Sequence, residues 1–103
     1  MKKVVINVCH GGFGLSKEAV ERYCAEKSID PGEWVGFGYY SKFYAGQLLR
    51  DDPLLIKIVE EMGDKANGRC AELKIVEIPD DVNWSIEEYD GWEWVAERHR
   101  TWK

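Results

Sequence analysis

The feature that most constrains the chain is an apolar run near its N-terminus, residues 3–9, which reads KVVINVC. Its residues are largely β-branched and nearly continuous in apolar character, which is typical of a strand buried on both faces. A chain of 103 residues has room for one modest core. We therefore expect residues 1–103 to form a single domain that contains this buried strand.

Two helices are predicted from their capping residues and their apolar spacing. Ser16 is a suitable N-cap for an amphipathic helix over residues 17–27. Asp52 is a suitable N-cap for a second helix, with Pro53 at the first position, where its missing N–H costs nothing. Gly63 ends this second helix. Between the two helices, the aromatic segment of residues 34–46 fits neither pattern and is expected to be a partly ordered loop.

Further strands are predicted at residues 71–78 and 84–89, where apolar side chains follow a strand pattern. Asp90-Gly91 then predicts a two-residue hairpin turn. Residues 92–102 fit either a fourth strand or a helix, and the helix is favoured because Ala96, Glu97 and Arg98 prefer it. The expected order is β-α-α-β-β-α, an α+β domain with two to three helices on one side of a three- or four-stranded sheet.

Charge and composition exclude several classes of protein. Nineteen acids against fourteen Lys and Arg give a net charge of −5, without the basic stripe of a general nucleic-acid binder. No apolar run approaches the roughly 20 residues of a membrane helix, and the N-terminus does not resemble a signal peptide. Three widely spaced cysteines form no C-x-x-C motif, which argues against a zinc ribbon and suits a reducing, cytoplasmic compartment.

The first candidate site is the glycine-rich turn between the first strand and the first helix. Backbone N–H groups at such a turn, next to the positive end of a helix dipole, favour an anion. The turn matches neither the Walker nor the dinucleotide-binding spacing, so it predicts a phosphate or another anion without specifying the ligand. The alternative is a tight turn whose glycines merely take positive φ. The candidate residues are Gly11, Gly12, Phe13, Gly14, Ser16 and Lys17.

The second candidate site is the aromatic segment that begins at Trp34. Aromatic faces stack on planar bases, and Tyr39 and Tyr40 add hydroxyl groups that form hydrogen bonds. Lys42 lies among these rings and, with Arg69, Arg98 and Arg100, is a candidate partner for phosphate. The alternative is that the rings belong to the core.

No catalytic constellation is evident. Cys9 and His10 resemble a nucleophile and a base, but neighbouring residues of an extended chain point to opposite faces. We expect no enzymatic activity, no metal and no cofactor.

Two motifs, GGFGLS at residues 11–16 and EYDG at residues 88–91, resemble a family of small uncharacterised proteins from tailed bacteriophages. The likeness extends to residues 6–9, to residues 67–68 and 73–80, and to residues 97–102. It implies an accessory protein acting in the cytoplasm of a bacterial host. Phage proteins of this size commonly counter bacterial immunity, either by trapping nucleotide second messengers of cyclic-oligonucleotide or Thoeris-type defence or by blocking a defence protein.

The residues favour the first of these roles. The leading hypothesis is a non-enzymatic, homo-oligomeric protein that sequesters a phosphate-bearing nucleotide signal, with the phosphate on the glycine turn and the base on the aromatic rings. The alternative is an inhibitor of a host defence protein that binds through acidic and aromatic surface, as anti-CRISPR proteins do.

Overall fold

The computed structural model describes residues 1–35 and 39–97, with Tyr39 and Gln47 as backbone only. This part of the chain forms two helices and six strands, with 3-10 turns at Ala45–Gln47 and Gly63–Ala66. In chain order the helices and strands are β1 (Lys2–Asn7), α1 (Lys17–Lys27), β2 (Trp34–Val35), β3 (Tyr39–Tyr40), α2 (Pro53–Met62), β4 (Leu73–Ile78), β5 (Trp84–Tyr89) and β6 (Trp92–Glu97). The α+β class predicted from the sequence is confirmed.

Strand β1 is buried on both faces, as its composition predicts. It pairs with β4 in antiparallel register, with Val5 opposite Ile75. Because side chains alternate along a strand, Val5 faces the helices whereas Val4 and Ile6 face the other way, toward Ile78. Val4, Val5 and Ile6 are each at most 3% exposed, so β1 is the central element of the packing.

The helices pack on one face of the β1–β4 pair and have the predicted bounds. The Ser16 hydroxyl accepts a hydrogen bond from the Ala19 N–H at the start of α1, and the Asp52 carboxylate accepts one from the Leu54 N–H at the start of α2. Gly63 follows α2 as its C-cap. Leu55 of α2 is fully buried in the hydrophobic cluster that Val5 forms with the two helices. Local capping chemistry therefore sets where both helices begin.

The β5–β6 hairpin covers the other face of the pair. Its turn is the predicted Asp90-Gly91, and both residues have positive φ, 52° and 91°. Ile86 and Val95 are directly opposite each other and pack on the Val4 and Ile6 side.

The helix favoured for residues 92–102 is wrong over residues 92–97, which form β6. Cross-strand pairing with β5 and burial of alternate side chains outweigh the weak intrinsic helix preference of Ala96 and Glu97. The rest of that segment, residues 98–102, lies outside the described part of the chain.

The strands do not join into one three- or four-stranded sheet. Within the described residues they form three two-stranded antiparallel sheets. The second edge of β1 is already occupied, because the Val5 N–H donates to the Arg50 carbonyl and the Asn7 N–H donates to the Glu93 carboxylate, each at 2.8 Å. The segment predicted as a loop, residues 34–46, also contains order: β2 pairs with β3.

Candidate ligand-binding groove

A glycine loop, residues 8–15, connects β1 to α1, and the buried side chain of Asn7 holds its beginning in place. The Asn7 amide nitrogen donates to the carbonyl oxygens of Cys9, at 2.6 Å, and Gly91, at 2.8 Å. Its amide oxygen accepts from the Glu72 N–H at 2.8 Å. The Asn7 side chain thus hydrogen-bonds to the glycine loop, to the residue before β4 and to the hairpin turn.

A largely buried ion pair, Arg50 with Glu93, contacts the same loop. Arg50 donates to both carboxylate oxygens of Glu93, at 2.6 and 2.9 Å. The Arg50 guanidinium also lies over the ring of Phe13, with its carbon 3.6 Å from the ring centroid. This stacking is a cation–π contact, which positions the Phe13 ring.

Two glycines allow the loop to lie directly against its neighbours. A Cβ at Gly11 would collide with the backbone and side chain of Cys70. A Cβ at Gly91, whose φ is +91°, would lie 2.5 Å from the His10 carbonyl oxygen. The turn of the hairpin and the segment around Cys70 therefore approach the loop more closely than any side chain would permit.

The loop forms one wall of a groove of about 260 Å³ that opens to solvent. The aromatic segment forms a second wall, and the turn over residues 68–71 forms a third. The lining of the groove includes Gly11, Gly12, Phe13, Gly14, Trp34, Tyr40, Phe43, Tyr44 and Arg69.

The aromatic rings of the groove are held to different degrees. Trp34 and Tyr40 make an edge-to-face contact with ring centroids 5.1 Å apart. Phe43 packs against Tyr23 of α1, with centroids 6.0 Å apart. Tyr44, by contrast, is 70% exposed. The groove therefore has Tyr40 and Phe43 as its less exposed rings and Trp34 and Tyr44 as its exposed rings.

Polar groups in the groove are few. Arg69 is exposed at its edge and carries a positive charge. Burial raises the pKa of the Tyr40 hydroxyl, and the neighbouring Glu21 carboxylate adds to the shift. A tyrosine of ordinary pKa is already protonated at neutral pH, so with the raised pKa the Tyr40 hydroxyl remains a hydrogen-bond donor there.

The structure brings together seven of the thirteen residues proposed from the sequence: Gly11, Gly12, Phe13, Gly14, Trp34, Tyr40 and Arg69. Two parts of the chain chosen for separate reasons, the glycine turn and the aromatic segment, thus line one cavity. The side chain of Tyr39, together with Arg98 and Arg100, lies outside the described residues.

Three further candidates, Ser16, Lys17 and Lys42, do not line the groove. The Ser16 hydroxyl donates to the Lys65 carbonyl at 2.6 Å, and its N–H donates to the Ala66 carbonyl at 2.9 Å. Lys17 lies 4.0 Å from Glu21, and Lys42 lies 3.9 Å from Asp30. Ser16 is therefore engaged within the protein, whereas the Lys17 amine also lies 5.8 Å from the ring centroid of Trp34, at the side of the groove.

Sequence reasoning missed the residues that hold the groove in shape. Asn7 and Glu93 are 0% and 5% exposed, and Arg50 bonds to Glu93 across 43 positions of the chain. One signal was available for Glu93, because in a strand it faces away from the tryptophans on either side of it. No local pattern marks Arg50.

Among the described residues, no three His, Cys, Asp or Glu side chains come together in a group that would hold a metal ion. No helix in that part of the chain has the length and apolar character needed to cross a bilayer. Comparison of the chain with protein-family models, with curated proteins and with solved structures finds no match.

Proposed function

We propose that the groove binds a compact phosphate-bearing nucleotide and holds it without chemical change. The observation that carries the proposal is the meeting of the glycine loop, the aromatic segment and Arg69 around one cavity. A nucleotide presents a planar base and an anionic phosphate together. The base stacks on Trp34 and Tyr44, and the phosphate accepts hydrogen bonds from the Arg69 guanidinium and from the backbone N–H groups of the loop.

The size of the groove limits how much of a ligand it encloses. Its volume of about 260 Å³ is at the lower end of ligand pockets, which span roughly 300–1,000 Å³. It therefore takes one nucleotide unit of a larger signal, and the remainder extends toward solvent or toward a second copy of the chain. If the remainder extends toward a second copy, the predicted homo-oligomer would enclose that part of the ligand.

Binding without catalysis fits the chemistry of the lining. The lining includes one exposed thiol, Cys70, and among the described residues of the lining no His, Asp or Glu accompanies it as a general base. The resemblance to phage accessory proteins supplies the context, in which such a protein would remove a nucleotide signal of host defence in the bacterial cytoplasm.

Calorimetry tests the proposal with adenosine monophosphate, ADP-ribose, and cyclic di- and trinucleotides as probes. We expect saturable heat with at least one probe, and chromatography should recover that probe unchanged. No heat with any of them contradicts the proposal. A converted product would instead indicate an enzyme.

The Tyr44→Ala substitution removes an exposed ring of the groove without disturbing the core. Loss of one stacking ring should weaken nucleotide binding by about 5- to 150-fold. Tyr89→Ala is the matched control, because Tyr89 is 72% exposed on the hairpin, against 70% for Tyr44. Equal affinities of the two variants would place the ligand elsewhere.

A further inference from the structure

A second aromatic surface lies outside the groove, on the outer face of the β5–β6 hairpin. Trp92 is directly opposite Tyr89, and Trp94 is directly opposite Glu87. Since directly opposed residues share a face and Glu93 between the tryptophans is buried, these four side chains point away from the core. We call the set of Glu87, Tyr89, Trp92 and Trp94 the hairpin face.

The rings of the hairpin face are exposed together. Trp92, Trp94 and Tyr89 are 43%, 45% and 72% exposed. Single exposed apolar residues are ordinary, whereas adjacent large rings on one strand pair mark an interaction surface. Trp and Tyr are also the residues that most often dominate binding energy at interfaces.

Charge indicates what kind of partner fits. Residues 84–97 contain five acids, Glu87, Glu88, Asp90, Glu93 and Glu97, and no Lys or Arg. Arg50 pairs with Glu93. The other four acids make no ion pair with a Lys or Arg within the described part of the chain. Of these acids, Glu87 lies on the hairpin face and Asp90 lies in the turn, whereas Glu88, Glu93 and Glu97 share the opposite face. The hairpin face therefore combines three rings with one carboxylate and carries no Lys or Arg.

We propose that the hairpin face docks an arginine-rich segment of another protein. A guanidinium stacks on the face of a tryptophan and pairs with a carboxylate beside it, and Trp94 opposite Glu87 offers both. A second copy docked face to face would bring two Glu87 carboxylates together, so this face is disfavoured as the contact of the predicted homo-oligomer. Nucleic acid and anionic lipid are disfavoured because they are negatively charged as well.

The proposal is independent of nucleotide binding. No residue of the hairpin face lines the groove. The nearest link is the contact of Trp92 with His10 of the glycine loop, with ring centroids 5.2 Å apart. Trp94 and Glu87 are therefore the residues on which the test is built.

The probe is a synthetic peptide of alternating arginine and glycine, titrated at physiological salt and followed by calorimetry. Glu87→Lys should weaken peptide binding clearly more than Glu26→Lys, which makes the same change of charge on the exposed surface of α1. Trp94→Ala should weaken it by about two- to fivefold, the size of an exposed cation–π contact. Tyr44→Ala, in the groove, should leave peptide binding unchanged.

Equal effects of Glu87→Lys and Glu26→Lys would show attraction by net charge alone and would overturn the proposal. An unchanged peptide affinity in the folded Trp94→Ala variant would also overturn the proposal. If circular dichroism shows that Trp94→Ala does not fold, Tyr89→Ala takes its place in the test. Self-association of the wild type that Trp94→Ala abolishes would assign the face to a second copy instead. Nucleotide affinity measured on the same variants keeps this result separate from that of the groove.

Discussion

Single buried polar residues determine the shape of the glycine loop. Asn7 uses both ends of its amide, donating to two carbonyl oxygens and accepting one backbone N–H. Glu93 accepts from the Asn7 N–H and from the Arg50 guanidinium. Every buried side-chain nitrogen and oxygen of the described residues has a hydrogen-bond partner. Removing any one of these groups leaves another buried and unpaired.

Glu93→Gln is expected to destabilise the protein strongly. The substitution keeps the shape of the side chain but leaves the Arg50 charge buried without its counter-charge, at a cost of about 3 kcal/mol. Urea unfolding at neutral pH measures the effect. Glu87→Gln, on the exposed face of the same hairpin, is the control and should change stability by less than about 0.5 kcal/mol. Similar losses in both variants would contradict a stabilising role for the buried pair.

A second buried contact predicts dependence on pH. The Tyr23 hydroxyl donates to the Asp52 carboxylate at 2.6 Å. Burial, and then this hydrogen bond, raises the pKa of Tyr23 to about 12. Burial acts to raise the pKa of Asp52 as well, but hydrogen bonds from Tyr23 and the Leu54 N–H outweigh it and hold that pKa below its usual value.

Tyr23→Phe should therefore cost about 1–2 kcal/mol at pH 7, the range of a hydrogen bond to a charged group. A lowered folded-state pKa stabilises the fold above the unfolded value and loses its effect as the pH falls through the folded one. The difference between wild type and Tyr23→Phe should thus narrow below about pH 4. Urea unfolding at pH 7 and pH 3 checks this, and a constant difference would argue against it.

At the scale of elements, local rules predicted the most. Ser16, Asp52 and Gly63 set the helix ends, and Asp90-Gly91 sets the hairpin turn, because capping and turn conformations depend on neighbouring residues. The β6 strand was not favoured, since its conformation depends on pairing with β5 rather than on its own propensity. The β2–β3 pair was missed because its strands are only two residues long.

The fit of the hairpin turn against the glycine loop predicts unequal costs for two glycine substitutions. Gly12 and Gly91 have φ of +93° and +91°, but a Cβ meets backbone atoms only at Gly91. Gly12→Ala should cost about 1–2 kcal/mol through backbone strain. Gly91→Ala should cost a further 1–3 kcal/mol or so, because the turn must move away from the loop. Thermal unfolding compares them, and equal melting temperatures would mean that the contact is not tight.

At the scale of the whole molecule, the groove joins segments that are far apart in the chain. The glycine turn and the aromatic rings were each identified from local composition, but no local pattern places them against residues 68–71. The same local reasoning predicts that Ser16 and Lys17 bind the anion. In the structure, Ser16 instead bonds to the turn after α2, and Lys17 lies near Glu21. The sequence thus predicts which types of residue could bind a ligand, whereas the packed fold determines which of them line one groove.

Nuclear magnetic resonance of the labelled protein, titrated with adenosine monophosphate to millimolar concentration, tests the central claim most directly. We predict that the signals of the Gly11, Gly12 and Gly14 amides and of the Trp34 indole shift together and saturate, while the Trp94 indole signal stays in place. The absence of saturable shifts at these groups, or shifts confined to the hairpin, would contradict a nucleotide site in the groove.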